Sequence, residues 1–324
     1  MLKVEGSVAI MRITLDSAAA VPAAWLAASN RPGLGAMAAV AVAYVVARGM
    51  AGVINDIVDE QDDTVTAPWA PLPTGTVSAP HALATLGVLA VAFWMLTTLA
   101  AADWADYALG LCAGAVSVVF IIAYGVWKGD GAVGPALGGL ALGAIPVSAW
   151  LFAGGGDDPV ALAIIVAGAC FQGFSTCVHA ALRDVDSDPA VGNYTIATRF
   201  GPDATLRLCG LADLLALLLV LPLAVHEDRL AVGVPVVVLL AAALVWTHVD
   251  ALARQRGAHG RFQRVAVVRY VARARFGSLL APVAVYSIPV FLVAAVAVAV
   301  LVPALRRHER RVVSGRLREA IRAA

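Results

Sequence analysis

Long apolar runs separated by short polar connections fill the chain. A helix needs about 20 apolar residues to cross the hydrocarbon core of a bilayer. On that measure nine runs qualify, at roughly 9–28, 33–56, 78–100, 105–125, 134–153, 159–180, 204–225, 230–248 and 278–302. The first is the weakest, being interrupted by Thr14, Asp16 and Pro22. Gly168, Gly173, Pro146 and Pro289 fall inside runs and suit close helix packing in lipid. The longest polar connection, 249–277, is rich in arginine. The pattern predicts an all-α, polytopic membrane protein of about nine transmembrane helices. We expect one domain over residues 1–305 and an Arg-rich tail over 306–324, where Val313, Leu317 and Ile321 recur every four residues and suit a helix lying on anionic lipid.

Composition agrees with a membrane protein. Hydrophobic residues make up 61% of the chain and charged ones only 14%, and the mean hydropathy is +0.85; soluble domains are about a quarter charged. A net charge of +1 gives no reason to expect a nucleic-acid partner. Cys112, Cys170, Cys177 and Cys209 form no CxxC pair and lie in apolar runs, so they read as small buried hydrophobes. No cleavable leader is evident at the N-terminus. If the N-terminus is cytoplasmic, the connections at 57–77, 126–133, 181–203 and 249–277 are too, and Lys and Arg concentrate on that side, with Arg31 and Arg229 opposite. The tail breaks the rule: nine crossings would put its seven arginines outside.

Candidate chemistry gathers on the same predicted side. Asn55-Asp56-Ile57-Val58-Asp59-Glu60-Gln61-Asp62-Asp63 places five acids at the end of an apolar run, in the pattern N-D-x-x-D-x-x-x-D. Residues four apart drift only about 40° around a helix, so Asn55, Asp59 and Asp63 are expected on one stripe. Asp184 and Asp188 make a second. Two facing carboxylate pairs suit Mg²⁺, which takes hard oxygen ligands and commonly shares them with phosphate. The chemistry that follows is neutralisation of a diphosphate, ionisation of an allylic C–O bond and formation of a carbocation in an apolar cavity. For either acidic cluster alone, a solvated loop is the alternative, and Glu60 and Asp62 read as solvated. Tyr124 and Lys128, four apart at a helix end, could hold phosphate oxygens or could snorkel to headgroups. Arg48, inside a crossing, faces either a phosphate or one of the aspartates. His179, one turn before Arg183, reads as a packed helix-end histidine.

Taken together, these residues resemble the UbiA superfamily of intramembrane prenyltransferases. Asn55-Asp56-x-x-Asp59-x-x-x-Asp63 matches its first aspartate motif, and Arg48-Gly49 a frequent lead-in. Pro71-Leu72-Pro73-Thr74-Gly75 resembles the end of that loop, Tyr124-x-x-x-Lys128 the Y-x-x-x-K motif, and Gly143-Ala144-Ile145-Pro146 a G-A-I-P turn. Arg183-Asp184-Val185-Asp186-Ser187-Asp188, then Gly192, Thr195 and Arg199-Phe200-Gly201, resembles the second aspartate motif. The resemblance spans nearly the whole chain. It implies nine helices around a central cavity, with Mg²⁺ and a prenyl diphosphate of C10 to C20 at the cytoplasmic mouth. Asn55, Asp56, Asp59, Asp63, Asp184 and Asp188 would serve the metal, with Asp59, Asp63, Asp184 and Asp188 central to ionisation. Lys128, Tyr124, Arg48, Arg183 and Arg199 would serve the diphosphate.

The chain departs from the family where a basic residue usually ends the first loop, having Ala67-Pro68-Trp69-Ala70-Pro71, and where a further aspartate often precedes the second motif, having Ala181. The expected activity is prenyl transfer to a lipophilic acceptor, an aromatic ring or an alcohol. The alternatives are a terpene cyclase, in which the substrate's own double bonds capture the cation, and a non-catalytic lipid-binding protein or transporter.

Overall fold

The computed structural model describes residues 19–28, 33–66, 70–101, 103–257 and 261–296. Residues 9–18 of the first apolar run, Ala67–Trp69 and the tail at 306–324 lie outside them. The described chain is helical: α1 (Val21–Ala27), α2 (Leu34–Val58), α3 (Glu60–Thr66), α4 (Ala79–Thr98), α5 (Trp104–Trp127), α6 (Val133–Phe152), α7 (Pro159–Asp184), α8 (Ile196–Leu218), α9 (Val220–His226), α10 (Leu230–Arg256) and α11 (Arg261–Tyr286). Two residues of β1 (Asp130–Gly131) pair in parallel with two of β2 (Tyr194–Thr195).

Among the described residues, seven helices are long and apolar enough to cross a bilayer, with α8 and α9 counted as one run. They make the chain an integral, multi-pass membrane protein. Seven of the nine expected crossings are found among the described residues; the first run is described only over 19–28, and the last breaks at Ser287. The Ser287 Oγ accepts from the Val290 N–H at 3.4 Å, and helix resumes at 288–296 after a break at Ser287. The connection at 249–277 is also not a loop. α10 runs on to Arg256 and α11 starts at Arg261, since arginine and alanine are good helix formers. Gly143-Ala144-Ile145-Pro146 is no turn either, as it sits within α6.

α6 is the packing centre, lying between α5 and α7. Small residues make up much of its buried face, Gly134, Gly139, Ala141, Gly143, Ser148 and Ala149, beside the larger Leu142, Ile145 and Phe152. Lipid tails are as apolar as leucine, so helices in a bilayer associate where backbones can come close. At Gly173 of α7, an added Cβ would stand 2.6 Å from the Gly138 carbonyl oxygen and 2.8 Å from the Leu142 Cβ. The Ser148 hydroxyl donates to the Gly110 carbonyl at 2.6 Å, tying α6 to α5 inside the bundle. The outward faces of α4 and α10 carry Leu83, Val88, Trp94, Leu239, Val245 and Trp246, all exposed. In water that much exposed apolar surface would signal a partner; here the partner is the bilayer. At the far end of α7, Asp158 caps the helix by accepting from the Ala161 N–H at 2.9 Å and pairs with His226 of α9 at 2.9 Å.

Gly173→Ala should therefore force α6 and α7 apart. We expect it to destabilise the protein by about 1–3 kcal/mol, as overpacking does, seen as a lower thermal midpoint in detergent. Gly168→Ala meets nothing nearer than 3.7 Å and gains helix propensity, so its midpoint should hold or rise.

Candidate active site

The first acidic segment lies where α2 ends. α2 stops at Val58, yet the helical hydrogen bonding carries through the break: the Asp59 N–H reaches the Asn55 carbonyl at 2.9 Å and the Asp63 N–H the Asp59 carbonyl at 2.8 Å. Asn55, Asp59 and Asp63 thus keep the expected succession although two helices, not one, carry them. The Asn55 amide donates to the Asp59 carboxylate at 2.7 Å. Asp56, Asp59 and Asp63 are at most 9% exposed, whereas Glu60 is exposed. The buried members are those of the N-D-x-x-D-x-x-x-D pattern.

The second segment differs from the expected stripe. Asp184 is the last residue of α7, but Asp188 begins a 3₁₀ turn, Asp188–Val191. Pro189 has no N–H to continue an α-helical ladder. The turn ends on Gly192 at φ +77°, a left-handed conformation that favours glycine. Thr195 then donates to Asp188 at 3.2 Å and caps α8 by accepting from the Thr198 N–H. The Gly and Thr of the second motif thus shape the loop that presents Asp188. Arg183 grips both Asp184 oxygens, at 2.7 to 3.1 Å. Burial and the neighbouring Asp184 charge push the Asp188 carboxyl up to about 6, against the opposing pull of Thr195, Lys128 and Arg183.

Three contacts bring the two segments together. α3 packs against the 3₁₀ turn. Lys128, at the end of α5, forms an ion pair with Asp59 and also acts on Asp188. The β1–β2 bridge fixes the turn after Lys128 to the loop after Asp188, with the Tyr194 N–H on the Gly129 carbonyl at 2.9 Å. Tyr124, one turn before Lys128, lies within electrostatic reach of Arg183, Arg48 and Asp59. Arg199 is placed differently. It is half exposed and stands 3.8 Å from Asp130, at the rim rather than between the acids. Ala67 lies outside the described residues, and the Ala70 carbonyl accepts from Thr74.

Every donor between the two segments is a hard oxygen, from carboxylates and one amide, which fits Mg²⁺ and disfavours softer metals. Among the described residues, the His/Asp/Glu group whose ligand atoms all approach within 4.8 Å is Asp158, His226 and Glu227, at the opposite end of α7. The aspartates of the two motifs stand looser, with Lys128 on Asp59 and Arg183 on Asp184.

The sequence reading missed a second charged cluster, deeper in the bundle. Asp213 of α8 is fully buried and pairs with Arg275 of α11 at 3.2 Å, while His248 of α10 approaches its other oxygen at 3.5 Å. His179 is buried against the same arginine. An aspartate inside the apolar run 204–225 was the available signal, since ionisable groups within spans rarely lack a role.

A family model described as the UbiA prenyltransferase family matches residues 17–268. A digeranylgeranylglyceryl phosphate synthase of Methanopyrus kandleri is 31% identical over 249 residues, 75% of this chain and 86% of that protein. One of Natronomonas pharaonis is 32% identical over 174 residues, 52% of this chain; the match spans only 59% of that protein. The fold also matches a UbiA homolog from Archaeoglobus fulgidus bound to DMAPP and Mg²⁺, with a TM-score of 0.60 and 14% identity over 89% of this chain and 98% of that one.

The raised Asp188 carboxyl gives a signed prediction. The folded state holds that proton to a higher pH than the unfolded chain does, so ionisation above about 6 weakens the metal-free fold. Asp188→Asn removes the ionisation and keeps an oxygen for Thr195. In metal-free buffer its thermal midpoint should exceed the parent's above pH 6, and the gap should close as pH falls toward the usual carboxylate range. A more stable parent at pH 8 would mean that Asp188 is favourably paired instead.

Proposed function

The chain belongs to the UbiA prenyltransferase family, and we propose that it is a Mg²⁺-dependent enzyme that ionises a prenyl diphosphate and passes the prenyl group to a lipophilic acceptor. One observation carries this reading. Two acidic segments from distant parts of the chain adjoin at one end of an apolar bundle, with Lys128 paired to the first and within reach of the second.

Lys128 pairs with Asp59 and Arg183 with Asp184. On our reading both would hold phosphate oxygens when the carboxylates carry a divalent ion. The Arg183 fork suits two phosphate oxygens at once, and the Lys128 ammonium acts as a compact charge. Tyr124 donates its hydroxyl toward the leaving group, and Arg48 adds a cation from α2. Arg199, paired with Asp130, would act only at the rim. Mg²⁺ held by Asn55, Asp56, Asp59, Asp63, Asp184 and Asp188 would supply neutralisation of the departing diphosphate. The allylic C–O bond then breaks with its electron pair on diphosphate, and the helices keep water from the cation. An acceptor oxygen or ring carbon attacks the cation and gives up its proton to the released diphosphate. By the distribution of Lys and Arg the site faces the cytoplasm. The relatives' names make a glyceryl phosphate lipid the first acceptor to test.

Asp59→Ala and Asp184→Ala should each lower turnover by about 100-fold or more, on the scale of losing a transition-state charge stabiliser, with folding retained. Lys128→Ala should raise KM for the diphosphate more than it lowers kcat. Product analysis with C10, C15 and C20 diphosphates, with and without glyceryl phosphate lipids and aromatic acceptors, checks the class. Prenylated acceptor is expected. A cyclic hydrocarbon formed without acceptor would replace transfer by cyclisation, and full activity in both aspartate variants would remove the metal assignment.

A further inference from the structure

α11 turns two arginines inward on one face. Arg264 and Arg275 are eleven residues apart, three turns at about 100° per residue, which returns the side chains to within about 20° of one another. Val267 and Val271 lie buried between them and pack in a cluster with Leu182 of α7 and Leu206 of α8.

Both arginines engage the second aspartate motif or its supports. Arg264, with a side chain only 12% exposed, holds Asp186 at 3.0 Å. Asp186 is the middle acid of the motif, between Asp184 and Asp188, and its side chain is mostly exposed. Arg275 reaches the two helices that flank the loop. It donates to Thr176 of α7 at 2.8 Å and to Asp213 of α8 at 3.2 Å, and it contacts His179. The same two helices clasp each other directly, the Ser175 hydroxyl donating to the Cys209 carbonyl at 3.3 Å. On α7, His179 lies only five residues, or about 7.5 Å of helix, before Asp184.

A buried ion pair is a poor source of net stability, because desolvation offsets the attraction, but it can fix one arrangement over its competitors. Resting on the metal-site reading above, we propose that α11 is a strut that positions the second aspartate motif. Arg264 fixes the loop through Asp186, and Arg275 with Asp213 fixes the spacing of the α7 and α8 stems. All four are positioning residues, and none needs to touch substrate.

The test uses the full-length protein in nanodiscs, first without metal. Backbone hydrogen exchange over residues 185–195 should quicken in Arg264→Ala and in Asp213→Asn. It should not quicken in Ser148→Ala, which removes a buried hydrogen bond between α5 and α6. Mn²⁺ binding, followed by electron paramagnetic resonance, should weaken several-fold in Arg264→Ala, short of the roughly 10-fold or more seen when a direct partner of a metal ligand is lost. Asp186→Ala should match Arg264→Ala, with the double variant no worse than either. The partner of Arg264, Asp186, is mostly exposed, so Asp186→Ala decides the question even if Arg264→Ala or Asp213→Asn fails to fold. Unchanged exchange at 185–195 in Arg264→Ala or Asp186→Ala would overturn the strut. Faster exchange with unaltered Mn²⁺ affinity would overturn its link to the metal residues. A parent protein that bound no Mn²⁺ would instead remove the metal-site reading, leaving the strut to stand or fall on exchange.

Discussion

Buried carboxylates at the end of an apolar bundle must have cations beside them. Asp56, Asp59, Asp63 and Asp188 are each less than a tenth exposed, where an uncompensated negative charge would shed its ionisation or unfold the region. Lys128 and Arg183 meet that need. The rest of the architecture follows from delivering them. α5 ends at the lysine, α7 ends on the Arg183–Asp184 fork, and the two-residue β bridge locks the lysine's turn onto the loop carrying Asp188. On the proposed function, the same cations would stand ready for a diphosphate while the carboxylates held a metal.

The deeper cluster obeys the same constraint with a different result. Asp213 and Arg275 pair inside the bundle, with His179 and His248 closing around them. Nothing in that arrangement gathers anions from outside. What it supplies is a fixed relation between α7 and α8, the helices that enter and leave the second aspartate loop. Small residues perform the matching task elsewhere, as Gly173 lets α7 lie against α6 at backbone distance.

Much of the fold was legible from the sequence because a bilayer imposes a length and an apolarity that few other environments require. Both aspartate motifs were legible because dense acid beside an apolar run is costly and therefore informative. What stayed hidden depends on direction. Residues 249–277 read as a polar connection because arginine was counted rather than placed, yet two of those arginines turn inward from a continuous helix. Asp188 was assigned to the face of Asp184 because spacing alone carries no notice that Pro189 ends the helical ladder. Asp213 escaped because one charge in a run of leucines leaves the mean hydropathy of the run high. Arg199 was grouped with the diphosphate ligands by its motif, whereas its place beside Asp130 at the rim depends on the β bridge, which two-residue strands do not announce.

The central claim is that two acidic segments and their resident cations form one site for a divalent ion with a diphosphate. The most direct measurement is calorimetric titration of inorganic diphosphate into the purified protein, with and without Mg²⁺. The account predicts binding that requires Mg²⁺, disappears in both Asp59→Ala and Asp184→Ala, and weakens in Lys128→Ala. Diphosphate binding of equal strength in the parent and both aspartate variants, or unaffected by removing Mg²⁺, would contradict it.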